Sequence, residues 1–316
     1  MAVNAHQPLQ FIDPEQLVQV KDLHLMARTV VEGFLAGYHR SPRYGSSIEF
    51  AQYRPYTQGD DPRFVDWDLY ARTDRLHVKQ FQDETNLRCT LLLDASASMG
   101  YASGTVGKFQ YARMLAACLA VILSRQKDAV GLIVYDDAVR AYIPPKATPR
   151  HAYRLLIELD NQQPSRRTDT AGTLRYLGDV IQPRGMVALI SDLLQPAREM
   201  LENLKSLQAR KHDLIVFQIS DPAEQTFPFD RAVTLIDAEL EDEQFVVPAA
   251  VREEYLQNRT AHFSLIRQEC LAAEADYEEF VTSEPLDRAL RFFIERRNAL
   301  LMATSARRNR PHSGGR

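Results

Sequence analysis

Cysteine is scarce in this sequence: three residues in 316, Cys89, Cys118 and Cys270. The count is odd, no pair forms C-x-x-C, and no histidine stands beside one at metal-ligand spacing. That excludes a disulfide framework and a zinc site of the usual kind. Cys89 at a strand start and Cys118 in an apolar helical run read as core residues, in keeping with a reducing cytoplasmic setting. Charge of one sign is also lacking. Lys and Arg number 38 against 42 Asp and Glu, a net of −4, so the basic excess of a nucleic-acid protein is missing. Only the end of the chain, RRNRPHSGGR, is basic, and residues 306–316 read as a solvated, disordered tail. Long hydrophobic runs are absent too. The longest, MLAACLAVIL, is about half of what a membrane helix needs, and MAVNAHQPLQFIDPEQL has no signal-peptide pattern. A soluble, cytoplasmic protein with no membrane span is expected. There is no P-loop, no G-x-G-x-x-G and no G-x-S-x-G, and His77, His151 and His212 stand isolated.

What is present is a patterned chain with 45% hydrophobic residues, enough for a sizeable core. Residues 1–38 read as an N-terminal helical extension: Asp13-Pro14 is a cap and first-turn proline, Leu17, Val20, Leu23, Met26, Val30 and Phe34 recur at helical spacing, and Gly37 is a stop. Residues 39–85 are dense in Arg, Asp and Tyr. Within them Arg54, Arg63 and Arg72 alternate with Asp60, Asp61, Asp66 and Asp68 around Trp67, the only tryptophan. This composition predicts an ion-paired, extended segment anchored by Trp67 on the sheet domain, with Arg63 and Asp66 holding it together; the alternative is a partner-docking surface. From 86 to 248, strands alternate with helices: LRCTLLLD, KFQYARMLAACLAVILSRQ, AVGLIVYD, an edge strand VRAYIPP, HAYRLLIELDNQ, TLRYLGDVI, GMVALISDLL, AREMLENLKSLQARK, HDLIVFQIS and a last strand AVTLIDAE. That alternation predicts an α/β fold with a doubly wound, mostly parallel sheet. After Pro248 the pattern is only helical, giving a C-terminal helical segment over 249–305.

In open α/β sheets, ligands bind beyond the carboxyl ends of strands at a topological switch point. The first sheet strand ends on Asp94-Ala95-Ser96-Ala97-Ser98 and a later one on Asp192. Between them lies the polar loop RRTDTAGT, with Thr168, Asp169, Thr170 and Thr173. Two carboxylates with hydroxyls form an all-oxygen set suited to a hard cation, Mg²⁺ above all. Two negative charges and neutral hydroxyls leave such an ion ready for one more anionic ligand, which a partner protein's carboxylate can supply. The plainer alternative is that Ser96, Ser98 and Asp192 only cap helices.

This pattern resembles a von Willebrand factor A domain with its metal-ion-dependent adhesion site. The resemblance implies Asp94, Ser96 and Ser98 as the first metal loop, Thr168 as the second and Asp192 as the third. Arg167 stands before Thr168 where the family often has Gly, which leaves Gly172-Thr173 as a competing assignment. The stretch EFAQYRPYTQGDDPRFVDWDLYARTDRLHVKQFQDE, with SPRYG upstream, resembles the opening signature of the DUF58 family ("domain of unknown function 58"). That resemblance implies a partnership with a MoxR-type AAA+ ATPase and an adaptor or co-chaperone role; it establishes no enzymatic activity, and a non-enzymatic module is expected. Two alternatives stand beside it: a metal-dependent hydrolase or phosphatase, and a scaffold with a vestigial metal site. A haloacid-dehalogenase-type phosphatase would want a second Asp where Ser96 stands.

Overall fold

The computed structural model describes residues 13–38, 53–57, 65, 67–79, 87–164, 181, 184–195, 205–236 and 243–308. The chain divides into two compact units, Met1–Phe34 with Leu87–Arg316, and Leu35–Asn86.

The larger unit is built on a six-stranded sheet. Its strands are β3 (Arg88–Asp94), β4 (Ala129–Tyr135), β5 (Val139–Lys146), β6 (Met186–Ser191), β7 (Asp213–Ser220) and β10 (Asp276–Val281), in the order β10-β7-β6-β3-β4-β5. All neighbours are parallel except β5, which returns antiparallel on the edge. The doubly wound α/β class and the VRAYIPP edge strand expected from sequence are what the chain forms. The sequence explains why. RCTLLLD, AVGLIVY and MVALIS are nearly unbroken apolar runs, and such strands need cover on both faces. Gly131 lets β5 turn in close: a side chain there would meet Ile143 O and Pro145 N at 2.8 Å.

One face is covered by α4 (Lys108–Arg125), which is apolar almost all round because α5 (Pro149–Asn161) and α8 (Leu286–Arg308) pack on its other sides. Phe292 and Phe293 of α8 reach Phe217 of β7 at ring separations of 5.6 and 6.5 Å. The other face takes α7 (Pro248–Ala272), whose Phe263, Ile266 and Cys270 join Leu92, Ile133, Leu189 and Val216 in one buried cluster. Burial of each such side chain stabilises by about 1.5–3 kcal/mol. All three cysteines are buried thiols, with no disulfide.

Several expectations need correction. The chain after Pro248 is not only helical. Asp276–Val281 is a strand that pairs with β7, so the sheet is completed by residues assigned to a separate helical segment. Among the described residues, the strand expected over AVTLIDAE does not enter the sheet: β8 (Val233–Ile236) pairs only with β9 (Glu243–Val246), in an antiparallel pair that leaves Ile236 and Phe245 64% and 72% exposed. The N-terminal helix is two, α1 (Pro14–Val18) and α2 (Leu23–Tyr38), and the second runs through Gly37. Its residues through Phe34 belong with the sheet unit, where Glu32 pairs with Arg125 at 2.7 Å.

In the smaller unit, β1 (Tyr53–Pro55) pairs antiparallel with β2 (His77–Lys79), inside the expected LHVKQF strand. Trp67 is not the buried anchor of an extended segment. It opens α3 (Trp67–Thr73), is 58% exposed, and meets only the Tyr70 ring edge-on at 6.2 Å among the described aromatic contacts. Arg63, Asp60, Asp61 and Asp66 lie outside the described residues, as do 173–180 of TLRYLGDVI, 197–204 of the helix expected over AREMLENLKSLQARK, whose residues 205–209 are helical, and 309–316 of the expected tail, whose residues 306–308 are not disordered but end α8. No helix among the described residues is long and apolar enough to cross a membrane.

Candidate functional site

The strand order places the site. From β3 the chain winds outward through β4 to β5, then returns to β6 on the other flank and winds outward through β7 to β10. The switch point is therefore between β3 and β6, and a crevice opens at their carboxyl ends. Three adjacent parallel strands there end on an aspartate: β3 on Asp94, β6 just before Asp192 and β7 just before Asp221.

Asp94 is wholly buried. Its Oδ1 accepts from Ser96 N at 2.8 Å and its Oδ2 from the Ser191 hydroxyl at 2.6 Å. Burial first, and then the nearby Asp192 charge, push its carboxyl up to about 7, against the pull of Ser191 and Ser96. Ser96 precedes a single 3-10 turn, Ala97–Gly100, yet its hydroxyl makes no capping bond. It meets the Ser98 hydroxyl at 3.1 Å instead. Helix capping is therefore not the task of the two serines.

Asp192 follows β6 and is also buried. Its Oδ1 accepts weakly from Leu194 N at 3.3 Å, and its Oδ2 takes the Lys108 ammonium at 2.8 Å. The next residue, Leu193, is buried with a left-handed backbone (φ 56°), a costly conformation for a side chain of this size. It is clasped on both sides: its N–H donates to Ser191 Oγ at 3.0 Å, and His262 of α7 bonds its carbonyl at 2.8 Å.

The sequence reading brings Asp94, Ser96, Ser98 and Asp192 to one place, as expected. Thr168 and its competitor Thr173 lie outside the described residues. Three partners went unseen: Lys108, Asp221 and Glu224. Lys108 opens α4 and reaches both Asp192 and Glu224, the latter at 2.5 Å. Asp221 caps α6 (Pro222–Thr226) through Ala223 N at 2.8 Å and takes the Ser103 backbone N–H at 2.9 Å, together with the Ser103 hydroxyl. It thereby stitches the loop after Ser98 to the end of β7. A signal for Asp221 was on the page, since QISDPA repeats the ISD of LISDLL. Among the described residues, no three His, Cys, Asp or Glu side chains gather as a metal-holding group.

The Tyr135 hydroxyl, at the end of β4 beside Asp94, is fully buried and, among the described residues, has no well-aligned hydrogen-bond partner, the Ser191 hydroxyl giving it only a poor one. Burial and the Asp94 charge hold its proton well beyond the ordinary tyrosine range. A poorly paired buried hydroxyl costs stability, so Tyr135→Phe is expected to leave the melting temperature of the cation-free protein unchanged or to raise it by the equivalent of about 1 kcal/mol. A loss of about 2 kcal/mol or more in denaturant melts would show that the hydroxyl has a well-aligned partner.

Among curated proteins, the uncharacterized protein Rv1480 of Mycobacterium tuberculosis and the uncharacterized protein Mb1516 of Mycobacterium bovis are each 29% identical over 254 residues, which is 79% of this chain and 80% of theirs. Among solved structures, BatB from Bacteroides thetaiotaomicron is similar at 14% identity and a TM-score of 0.45, covering 67% of this chain and 99% of its own. The SpRpn10 VWA domain is similar at 8% identity and a TM-score of 0.39, over 65% of this chain and 94% of its own. The fold itself rests on the strand order given above. A family model described as "Protein of unknown function DUF58" matches residues 52–264, more than half of the chain. This chain belongs to the DUF58 family.

Proposed function

We propose that the chain is a non-enzymatic protein-interaction module that recognises its partner through a divalent cation, Mg²⁺ for preference, held by Asp94, Ser96, Ser98 and Asp192 with Thr168 from the intervening loop. The observation that carries this reading is the pair of serine hydroxyls 3.1 Å apart, free of capping duty and beside a buried carboxylate. Two oxygens bound to one Mg²⁺ at about 2.1 Å and at right angles stand about 3 Å apart, so the spacing of the two hydroxyls supports the reading. The close approach of Asp94 and Asp192 fits as well, since it raises the Asp94 carboxyl unless a cation compensates it. When bound, the ion supplies a Lewis-acidic position for a partner's oxygen. The protein's own residues do the rest. Ser191 and Ser96 N–H fix the Asp94 carboxylate, and Asp221 and His262 hold the flanking loops.

A haloacid-dehalogenase-type phosphatase would want a second Asp where Ser96 stands, which supports the binding reading over that one. The resemblance drawn from the sequence makes a MoxR-type AAA+ ATPase, or its client, the partner of choice. In this reading the chain acts as its adaptor.

A pull-down from source-cell lysate tests this, with wild type and Asp94→Ala each in excess Mg²⁺ and in EDTA. The expected result is a partner retained only by wild type with Mg²⁺, identified by mass spectrometry as an AAA+ ATPase or a protein it acts on. A partner held equally in all four samples would move recognition away from the strand ends.

A further inference from the structure

The outward ridge of α5 has the wrong composition for a face that meets only water. His151, Ala152, Leu155, Leu156 and Leu159 are buried against the rest of the sheet unit. Arg150, Tyr153, Arg154 and Ile157 take the opposite side at i, i+3, i+4 and i+7, and all four are exposed. A helix packed along one apolar stripe ordinarily turns a polar ridge to solvent. Here two of the four residues are large and apolar, with Tyr153 52% and Ile157 47% exposed. The ridge is also held in place. His151 Nε2 donates to the Val130 carbonyl at 3.0 Å, which fixes the first turn of α5 to β4, and the Tyr153 ring meets His24 of α2 edge-on at 5.3 Å.

The acids nearest this ridge are engaged elsewhere. Glu158, one turn after Arg154, accepts from Gln162 Nε2 at 2.6 Å, and Asp160 stands 3.9 Å from Arg113 of α4. Neither Arg150 nor Arg154 forms an ion pair among the described residues. Lys146, exposed at the end of β5, adds a third positive charge: burial, and after it the charges of Lys146 and Arg154, hold the His151 imidazole below its ordinary value. This combination selects the occupant. Two copies of the chain packed through the ridge would set its cations against one another. An anionic membrane needs a helix with a broad free apolar face, and that face of α5 is buried inside the protein. Tyrosine and arginine on a rigid helix are instead what the energetic centres of protein interfaces are made of.

We propose that the outward ridge of α5 is a second docking surface, which takes an acidic amphipathic segment of a partner protein. Its carboxylates meet Arg150 and Arg154, and its apolar side chains lie on Tyr153 and Ile157. Each guanidinium can hold a carboxylate through two parallel hydrogen bonds, and the turn between the two arginines matches acids one helical turn apart on the partner. The surface is separate from the candidate cation site. Lys146 is in register with Val130 at the amino end of β4, whereas Asp94 and Asp192 stand at the carboxyl ends of the strands. Docking here needs no metal ion and stands or falls apart from the cation reading.

The test uses the purified full chain in EDTA, as wild type, the double variant Arg150→Glu/Arg154→Glu, Ile157→Ser, and Arg291→Glu as a reversal at an exposed arginine of α8. All four positions are exposed, so unchanged melting temperatures are expected and are checked first. The probe is a fluorescein-labelled helical peptide of Glu, Leu and Ala, with glutamates at i and i+4 beside a leucine stripe, followed by anisotropy. A second peptide carries Lys in place of Glu, and vesicles of phosphatidylserine with phosphatidylcholine compete with both. Wild type and Arg291→Glu are expected to bind the acidic peptide alike. The double variant is expected to lose about tenfold or more in affinity and to gain for the lysine peptide, and Ile157→Ser to lose roughly threefold. Equal binding of the acidic peptide by wild type and the double variant would overturn the proposal, as would no saturable binding by wild type. Displacement of the peptide by the vesicles would reassign the ridge to an anionic membrane. Binding that appears only when Mg²⁺ replaces EDTA would overturn the proposal by moving the peptide to the strand ends.

Discussion

At pH 8 in EDTA, Asp94→Asn is expected to melt above the wild type, although it removes a central residue of the candidate site. The Asp94 carboxyl sits at about 7 because burial, and then the Asp192 charge, outweigh the hydrogen bonds from Ser191 and Ser96. In the unfolded chain it returns to about 4. A carboxyl raised by folding contributes stability that is fully present below the unfolded value and is lost as pH rises through the folded one. The loss between pH 4 and pH 8 is on the order of 4 kcal/mol, with no solvent screening to reduce it, because the group is wholly buried. Asparagine accepts the Ser96 N–H and stays neutral, so it avoids that loss. For a chain of this size the gain amounts to roughly 3–6 °C. The quantity to follow is the wild-type melting temperature minus that of Asp94→Asn, from pH 5 to pH 8, since groups common to both cancel. It is expected to fall steadily through pH 7 in EDTA. With millimolar Mg²⁺ it is expected to recover at pH 8 and to change little at pH 5, where a proton occupies the carboxyl in the ion's stead. A flat difference across the range would show that Asp94 ionises at ordinary cost, and the two-carboxylate argument would fail with it.

Asp94 and Asp192 could be found in the sequence because each ends an apolar run, and strand ends at a switch point are where α/β proteins keep their ligands. Ser96 and Ser98 were legible for a similar reason, alternate hydroxyls just past a buried strand. Lys108 was not. Its partners lie 84 and 116 residues away, and a lysine at a helix start reads as a solvated surface residue until the tertiary fold closes over it. The sheet was legible where its strands are covered on both faces and misleading where they are not. β10 reads DYEEFV, and only its last two residues are buried. Its acids serve ion pairs, Glu279 with Arg259 and Glu278 with Arg288, so no apolar alternation marked it and the flanking helices absorbed it. β8 erred in the other direction. VTLI has the β-branched composition of a core strand, but its side chains are mostly exposed in a two-stranded antiparallel pair. Composition recorded the backbone preference correctly, and burial was decided by tertiary partners.

The largest single loss of stability is expected at the opposite end of the sheet. Asp128 lies in the turn that leads from α4 into β4, where Lys127 has a left-handed backbone at φ 58°. Its Oδ1 accepts from Leu87 N at 3.1 Å, at the start of β3, and its Oδ2 takes Arg297 Nε of α8 at 2.6 Å. Both side chains are buried, 1% and 5% exposed. This pair joins the last helix to the amino ends of β3 and β4, across 169 residues of chain. Arg297→Met leaves the carboxylate buried and unpaired, which costs about 3–5 kcal/mol. Adding Asp128→Asn is expected to restore more than half of that. Asparagine still accepts the Leu87 N–H, and most of the single variant's loss is the stranded charge rather than the missing attraction. Denaturant melts of the two single variants and the double variant measure this directly. Additive losses would mean that the pair is worth no more than an exposed one. Because Asp128 lies at the amino ends of the strands and the candidate site at their carboxyl ends, Arg297→Met at a temperature where it remains folded should keep the wild-type Mg²⁺ response. Asp94→Asn should lose that response while gaining stability. The two variants thus part stability from recognition in opposite directions, and a protein whose Mg²⁺ response merely followed its melting temperature would not behave this way.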